Sequence, residues 1–106
     1  MLDEKNVHEV YTNLYNAKEK YAEASEKFIN LKFTLNVLKA EATQNGEIDG
    51  KNADAREASA RSLLKENYDA LDKAEIEERK MRHSLDLANL EVERVKTLLR
   101  LQEVLK

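Results

Sequence analysis

Gln44-Asn45-Gly46-Glu47-Ile48-Asp49-Gly50-Lys51-Asn52 is the stretch that decides the fold, because it holds both glycines of a 106-residue chain that has no proline. Gly46 is the residue type expected just past a helix end, where a left-handed backbone carries no steric penalty. Asn52 is a suitable N-cap for a second helix, with Ala53, Asp54 and Ala55 in its first turn. The segment is far too short, and too poor in Gly and Ser, to be a flexible linker. It reads as one turn, at about residues 46–51, between two long helices.

Upstream of the turn, apolar residues recur at alternating steps of three and four: Val7, Val10, Leu14, Ala17, Tyr21, Ala24, Phe28, Leu31, Leu35, Leu38 and Ala42. That is a heptad seam, and a sustained 3.5-residue period asks for a partner helix along its whole length. Helix 1 is predicted over about 3–45, with Asp3 or Asn6 as N-cap and acidic residues near the positive end of the helix dipole. Downstream, a second seam reads Ala60, Leu64, Asn67, Leu71, Ala74, Glu78, Met81, Leu85, Ala88, Val92, Val95, Leu99 and Gln102. Asn67, Glu78 and Gln102 are its polar interruptions, and nothing in the sequence stops helix 2 over about 52–105.

A short turn makes the helices antiparallel, since a parallel return needs a long crossover. The fold class predicted is all-α, one domain over 1–106, a long antiparallel two-helix coiled-coil hairpin. At ~1.5 Å per residue the helices are roughly 60 and 80 Å long. With a turn centred near Ile48, the part of helix 2 beyond about Leu90 overhangs its partner.

One buried stripe per helix suffices for a hairpin, yet each helix carries a second. Tyr11, Tyr15, Ala22, Ile29, Phe33, Val37 and Ala40 fall roughly 100° to 180° from Phe28 on a helical wheel. Leu87, Leu90, Leu98, Leu101 and Leu105 lie opposite Leu85, Val92 and Leu99. Helices apolar on two faces bury both. The expected covering is a second copy, giving a homodimer that forms a four-helix bundle, and another protein beyond it. Its interface residues are Tyr11, Tyr15, Ile29, Phe33, Val37, Leu87, Leu90, Leu98, Leu101 and Leu105; the plainer alternative is a helix that bends and folds its end back.

A net charge of −3 argues against a protein whose main work is neutralising nucleic-acid phosphates. With no cysteine, disulfides and thiolate metal sites are excluded. The first residues lack a secretory pattern, and no window nears ~18 consecutive apolar residues, so no membrane association and a cytoplasmic location are expected.

Little here points to chemistry. His8 and His83 stand on different helices and lack the spacing of a zinc site. Glu78 in the seam would serve either as an acid of raised pKa or, more simply, as a register device paired with Lys18 or Lys20. There is no P-loop, nucleophile elbow or dinucleotide fingerprint, so neither an enzyme nor a cofactor is expected. Arg79-Lys80-Met81-Arg82-His83 is the most basic stretch, but Glu75 to Arg79 and Glu78 to Arg82 are i,i+4 pairs, as are Glu57 to Arg61, Asp69 to Lys73 and Glu23 to Lys27. Asp49, Lys51, Asn52 and Arg56 are the candidate recognition residues of the turn, where helix N–H groups are also available to an anion.

Gly50-Lys51-Asn52-Ala53 with Arg56, then Tyr68, Ala74-Glu75, Arg79, Leu85 and the run Leu90-Glu91-Val92-Glu93-Arg94 before Leu98 and Leu99 resemble small helical-hairpin proteins of bacteriophages and prophages of Gram-positive hosts. The resemblance covers roughly residues 48 to 102. It implies a phage-encoded accessory protein in the host cytoplasm and supplies no catalytic residue. The expected function is non-enzymatic protein–protein interaction through an oligomer. The alternatives are an inhibitor of a host defence or nuclease protein, acting through residues 1–50 where nine acids face six lysines, and a DNA-binding recombination accessory using Arg79, Lys80 and Arg82.

Overall fold

A computed structural model of the chain describes residues 2–105. It is all-helical, with α1 over Glu4–Gln44, α2 over Ala53–Leu63 and α3 over Lys65–Val104, and no strand among the described residues. Asp3 is the N-cap of α1: its Oδ1 accepts the Asn6 N–H at 2.8 Å, satisfying one of the donors a helix start leaves open. The helix closes through a pair of bonds, Glu47 N–H to Ala42 O at 2.8 Å and Gly46 N–H to Thr43 O at 3.1 Å, with Gly46 at φ +74°. That is the Schellman pattern, which ends a helix with a left-handed residue. Asn52 caps α2 from an extended backbone, its Oδ1 accepting the Ala55 N–H at 2.8 Å.

The uninterrupted second helix expected over 52–105 is broken at Leu64, which has φ −110° and ψ 33°. No proline or glycine stands there. The bonds Leu64 N–H to Ala60 O and Tyr68 N–H to Leu64 O persist at 2.8 and 3.0 Å, so the fault is one residue wide. Just beyond the fault the chain buries Tyr68, while Asn67, the seam position beside it, is half-buried like Leu64 and Leu71; the larger apolar body gains more from leaving water.

Two compact units make up the chain. One joins the residues up to Ala24 with those from Glu78 onward, and the other is Ser25–Glu77. In the second unit Leu35, Ala60 and Tyr68 form the core, with Ile48, Leu64 and Leu71 packed against it. Ile48 belongs to the connection rather than to a helix, so the turn is anchored by its own apolar residue. In the first unit Ala24, Val92 and Val95 are buried. Residue pairs there run in opposite sequence order: Tyr21 meets Arg82, and Val7 shares a hollow with Leu99.

The seam is visible residue by residue. All eleven predicted positions of α1 are buried or half-buried, and between Val7 and Ala42 the only other shielded residues are Ser25 and Lys39. On α3 the exception is Leu99, 38% exposed. The overhang expected beyond about Leu90 is absent: Val92 and Val95 are buried, and Leu99 lies beside Leu2 and Val7.

Candidate interaction surface

In the second unit a half-buried polar cluster closes over the core. Glu57 of α2 is its centre. Its Oε2 accepts from Lys39 Nζ at 3.0 Å and its Oε1 from the Tyr68 hydroxyl at 3.0 Å, while Arg61 Nε approaches Oε1 at 3.5 Å. Arg61 also lies over the Tyr68 ring, its guanidinium carbon 4.6 Å from the centroid, a cation–π arrangement. Lys39 and Tyr68 hold the Glu57 carboxyl below the usual carboxylate range. The Tyr68 hydroxyl and Glu57 hold the Lys39 ammonium above the usual lysine range. Every member has a partner, so the cluster fastens α1, α2 and α3 within this unit. The sequence pattern marked only its Glu57–Arg61 pair, because Lys39 lies off the α1 seam and its approach to Glu57 depends on the turn geometry.

The four candidate residues of the turn have separate fates. Asp49 Oδ1 accepts the Gly50 N–H at 2.9 Å and its own N–H donates to Ser59 Oγ at 3.1 Å. Asn52 is spent on the cap. Lys51 and Arg56 are exposed and, among the described residues, have no ion-pair partner. The side chains of Asp49 and Asn52 therefore hold the turn, and only the two cations are available to a ligand.

The second stripe is where the structure leaves apolar surface in water. Of the ten predicted interface residues only Leu98 is half-buried. In the second unit Ile29 is 60%, Phe33 69% and Val37 39% exposed, and Leu63 and Ile76 are exposed as well. In the first unit Tyr11 and Tyr15 on α1 and Leu87, Leu90, Leu101 and Leu105 on α3 are exposed.

Two hollows lie along the first unit. Asn13, Asn16, Ala17 and Lys20 of α1 face Met81, Ser84 and Ala88 of α3 around one. Val7, His8 and Tyr11 gather with Leu2 and Leu99 around the other.

Ion pairing differs from expectation at the seam acid. Glu78 binds Arg82 of its own helix at 2.8 Å rather than Lys18 or Lys20, because an i,i+4 neighbour needs no reach across the seam. Arg82 also approaches the Tyr21 hydroxyl at 3.5 Å, and that hydroxyl, foremost, holds the guanidinium above its usual range. Of the other predicted pairs Glu57–Arg61 is present; among the described residues Glu75–Arg79, Asp69–Lys73 and Glu23–Lys27 do not reach ion-pair distance. Glu91 instead takes Arg94 Nε on both oxygens at 3.0 Å and also its Nη2, which places Glu91 below and Arg94 above their usual ranges.

His8 and His83 do not meet. His8 lines the hollow with Leu99, whereas Arg82, the neighbour of His83, meets Tyr21, thirteen residues or ~20 Å further along α1. No group of three or more His, Asp or Glu side chains is arranged to hold a metal ion among the described residues. No described helix is long and apolar enough to cross a membrane. Comparison with protein-family models, with curated proteins and with solved structures gave no match for this chain.

Proposed function

We propose that the protein is a non-enzymatic interaction module: an antiparallel two-helix coiled-coil hairpin whose seam holds it together and whose second apolar stripe binds other chains. The observation that carries this reading is the exposure of Tyr15, Ile29, Phe33 and Leu90, each at least 60% open to water. Leaving such side chains wet forgoes on the order of 1 kcal/mol apiece, and single apolar residues on a surface are ordinary but aligned ones mark an interface. A second copy is the first partner, with a four-helix bundle as the smallest closed form. A further protein is the second.

The resemblance of residues 48 to 102 to phage and prophage proteins supports a reading in which the protein acts in a host cytoplasm, as an accessory to a phage or host protein. Inhibition of a host defence or nuclease protein is the same reading with the partner specified, and the acid-rich residues 1–50 favour it. A DNA-binding role has less support, because Arg82 is already held by Glu78 and Tyr21. Sedimentation equilibrium at micromolar concentration tests the core of the proposal. A mass above one chain is expected, and a strictly monomeric chain would remove it.

A further inference from the structure

The Tyr68–Glu57 hydrogen bond cannot be made on a straight helix. Its two residues are eleven apart, which is about 16.5 Å of rise along an unbroken α-helix. A glutamate and a tyrosine side chain laid end to end through one hydrogen bond reach only about 14 Å from Cα to Cα. Yet the Tyr68 hydroxyl donates to Glu57 Oε1 at 3.0 Å. The bond therefore exists only while α2 and α3 are bent toward one another at Leu64.

The local sequence does not ask for that bend. No proline or glycine follows Gly50, and Arg61, Leu63, Leu64, Lys65 and Glu66 are all good helix formers. The bonds Leu64 N–H to Ala60 O and Tyr68 N–H to Leu64 O already have the helical spacing. Leu64 alone departs, at φ −110° and ψ 33°, and rotations of about 50° in φ and about 75° in ψ would return it to the helix.

Lys39 of α1 marks the inner side of the bend. Its Nζ donates to Glu57 Oε2 at 3.0 Å and lies 5.7 Å from the centre of the Tyr68 ring, and Arg61 of α2 stands over the same ring. The bend thus wraps α2 toward α1, where Ala60 and Tyr68 pack on Leu35. The Glu57 side chain stays 43% exposed. Its bonds can open to water without the core unfolding, as a releasable catch requires.

We propose that α2 and α3 have two states, a bent one held by the Tyr68–Glu57 bond and a straight one in which they form one continuous helix, and that this bond is the catch between them. In the straight state α2 swings away from Lys39 and uncovers Leu35. None of the ten residues of the second stripe takes part, so the catch is independent of assembly through that stripe.

The chain has no cysteine, so spin labels attach only where one is introduced. Asp54→Cys/Glu75→Cys puts a pair on exposed positions of α2 and α3, about 31 Å apart along a straight helix, and pulsed double electron–electron resonance on the full chain reads their separation. In this background Tyr68→Phe, which keeps the ring, and Glu57→Ala are each expected to populate a separation longer by at least about 2 Å, the shortfall of the bond's reach on a straight helix. That longer form should gain about fivefold over the bent one. Circular dichroism should show helix content kept or raised. A separation unchanged in both variants, with helix content kept, overturns the catch, since ring packing alone then holds the bend. A longer separation that comes with lost helix content also overturns it, since α2 is then unravelling and not joining α3.

Discussion

Across the break at Leu64, the Tyr68 hydroxyl of α3 donates to Oε1 of Glu57 in α2 at 3.0 Å, while the Tyr68 ring is buried against Leu35 and Ala60. One side chain thus serves the core with its ring and the α2–α3 junction with its oxygen. Tyr68→Phe keeps the ring and removes the bond, so it should lower unfolding stability by about 1 kcal/mol. Tyr68→Ala empties the core position and should cost about 3–5 kcal/mol. Urea titrations followed by circular dichroism separate the two, and equal losses would show that the hydroxyl, not the ring, carries the position.

The same cluster sets a pH dependence. Glu57 is a stronger acid folded than unfolded, so its contribution is complete above its unfolded value near 4.5 and is lost as pH falls through its depressed folded value. Lys39 is the opposite case: it contributes fully below 10.5 and loses that contribution as pH rises through its raised folded value. Thermal melts should therefore show a plateau around neutrality that declines in acid and in strong alkali. Glu57→Gln should lower the plateau slightly and flatten part of the acid decline; an acid decline unchanged in that variant would assign it to other carboxylates. The effect is small, because these groups stand largely in water.

The seams were legible because burial in paired helices follows a period that one can count. From Val7 to Ala42 the pattern marks each shielded position except Ser25 and Lys39. Both glycines and the Asn52 cap were legible for the same reason, since a turn needs residue types that a helix does not. The break at Leu64 was not, because no proline, glycine or other local residue demands it. Nor was the Lys39–Glu57–Tyr68 cluster, which joins residues 18 and 11 positions apart, a relation set by the connection and not by any period. The second stripe was legible as a face. Its residues, Leu98 apart, stand exposed.

The two glycines differ in what a side chain would meet. At Gly46, with φ +74°, a Cβ would find nothing within 4 Å, so Gly46→Ala should cost only its left-handed backbone, about 1 kcal/mol. At Gly50, with φ +152°, a Cβ would stand 2.6 Å from the Arg56 backbone nitrogen and 2.7 Å from the Ala55 carbonyl carbon. Backbone cannot yield as a flexible side chain does, so Gly50→Ala should cost more than Gly46→Ala and should shift the start of α2. Denaturation of the paired variants checks the order, and amide exchange of Ala55 and Arg56 checks the site. Equal losses would mean that the connection relaxes freely.

Leu90 and Val95 stand five residues apart on α3, at 65% and 0% exposure. Val95→Ala removes two buried methyl groups and should cost about 2 kcal/mol at any protein concentration. Leu90→Ser should leave the dilute chain within about 0.5 kcal/mol of wild type, since an exposed side chain has little to lose there. At higher concentration the two should part. Association stabilises the folded chain by mass action, so the wild-type melting temperature rises with concentration. In Leu90→Ser that rise should be lost, while in Val95→Ala it should persist from a lower baseline. A wild-type melting temperature independent of concentration would remove the assembly from the account and leave the leucines of α3 unexplained as a face.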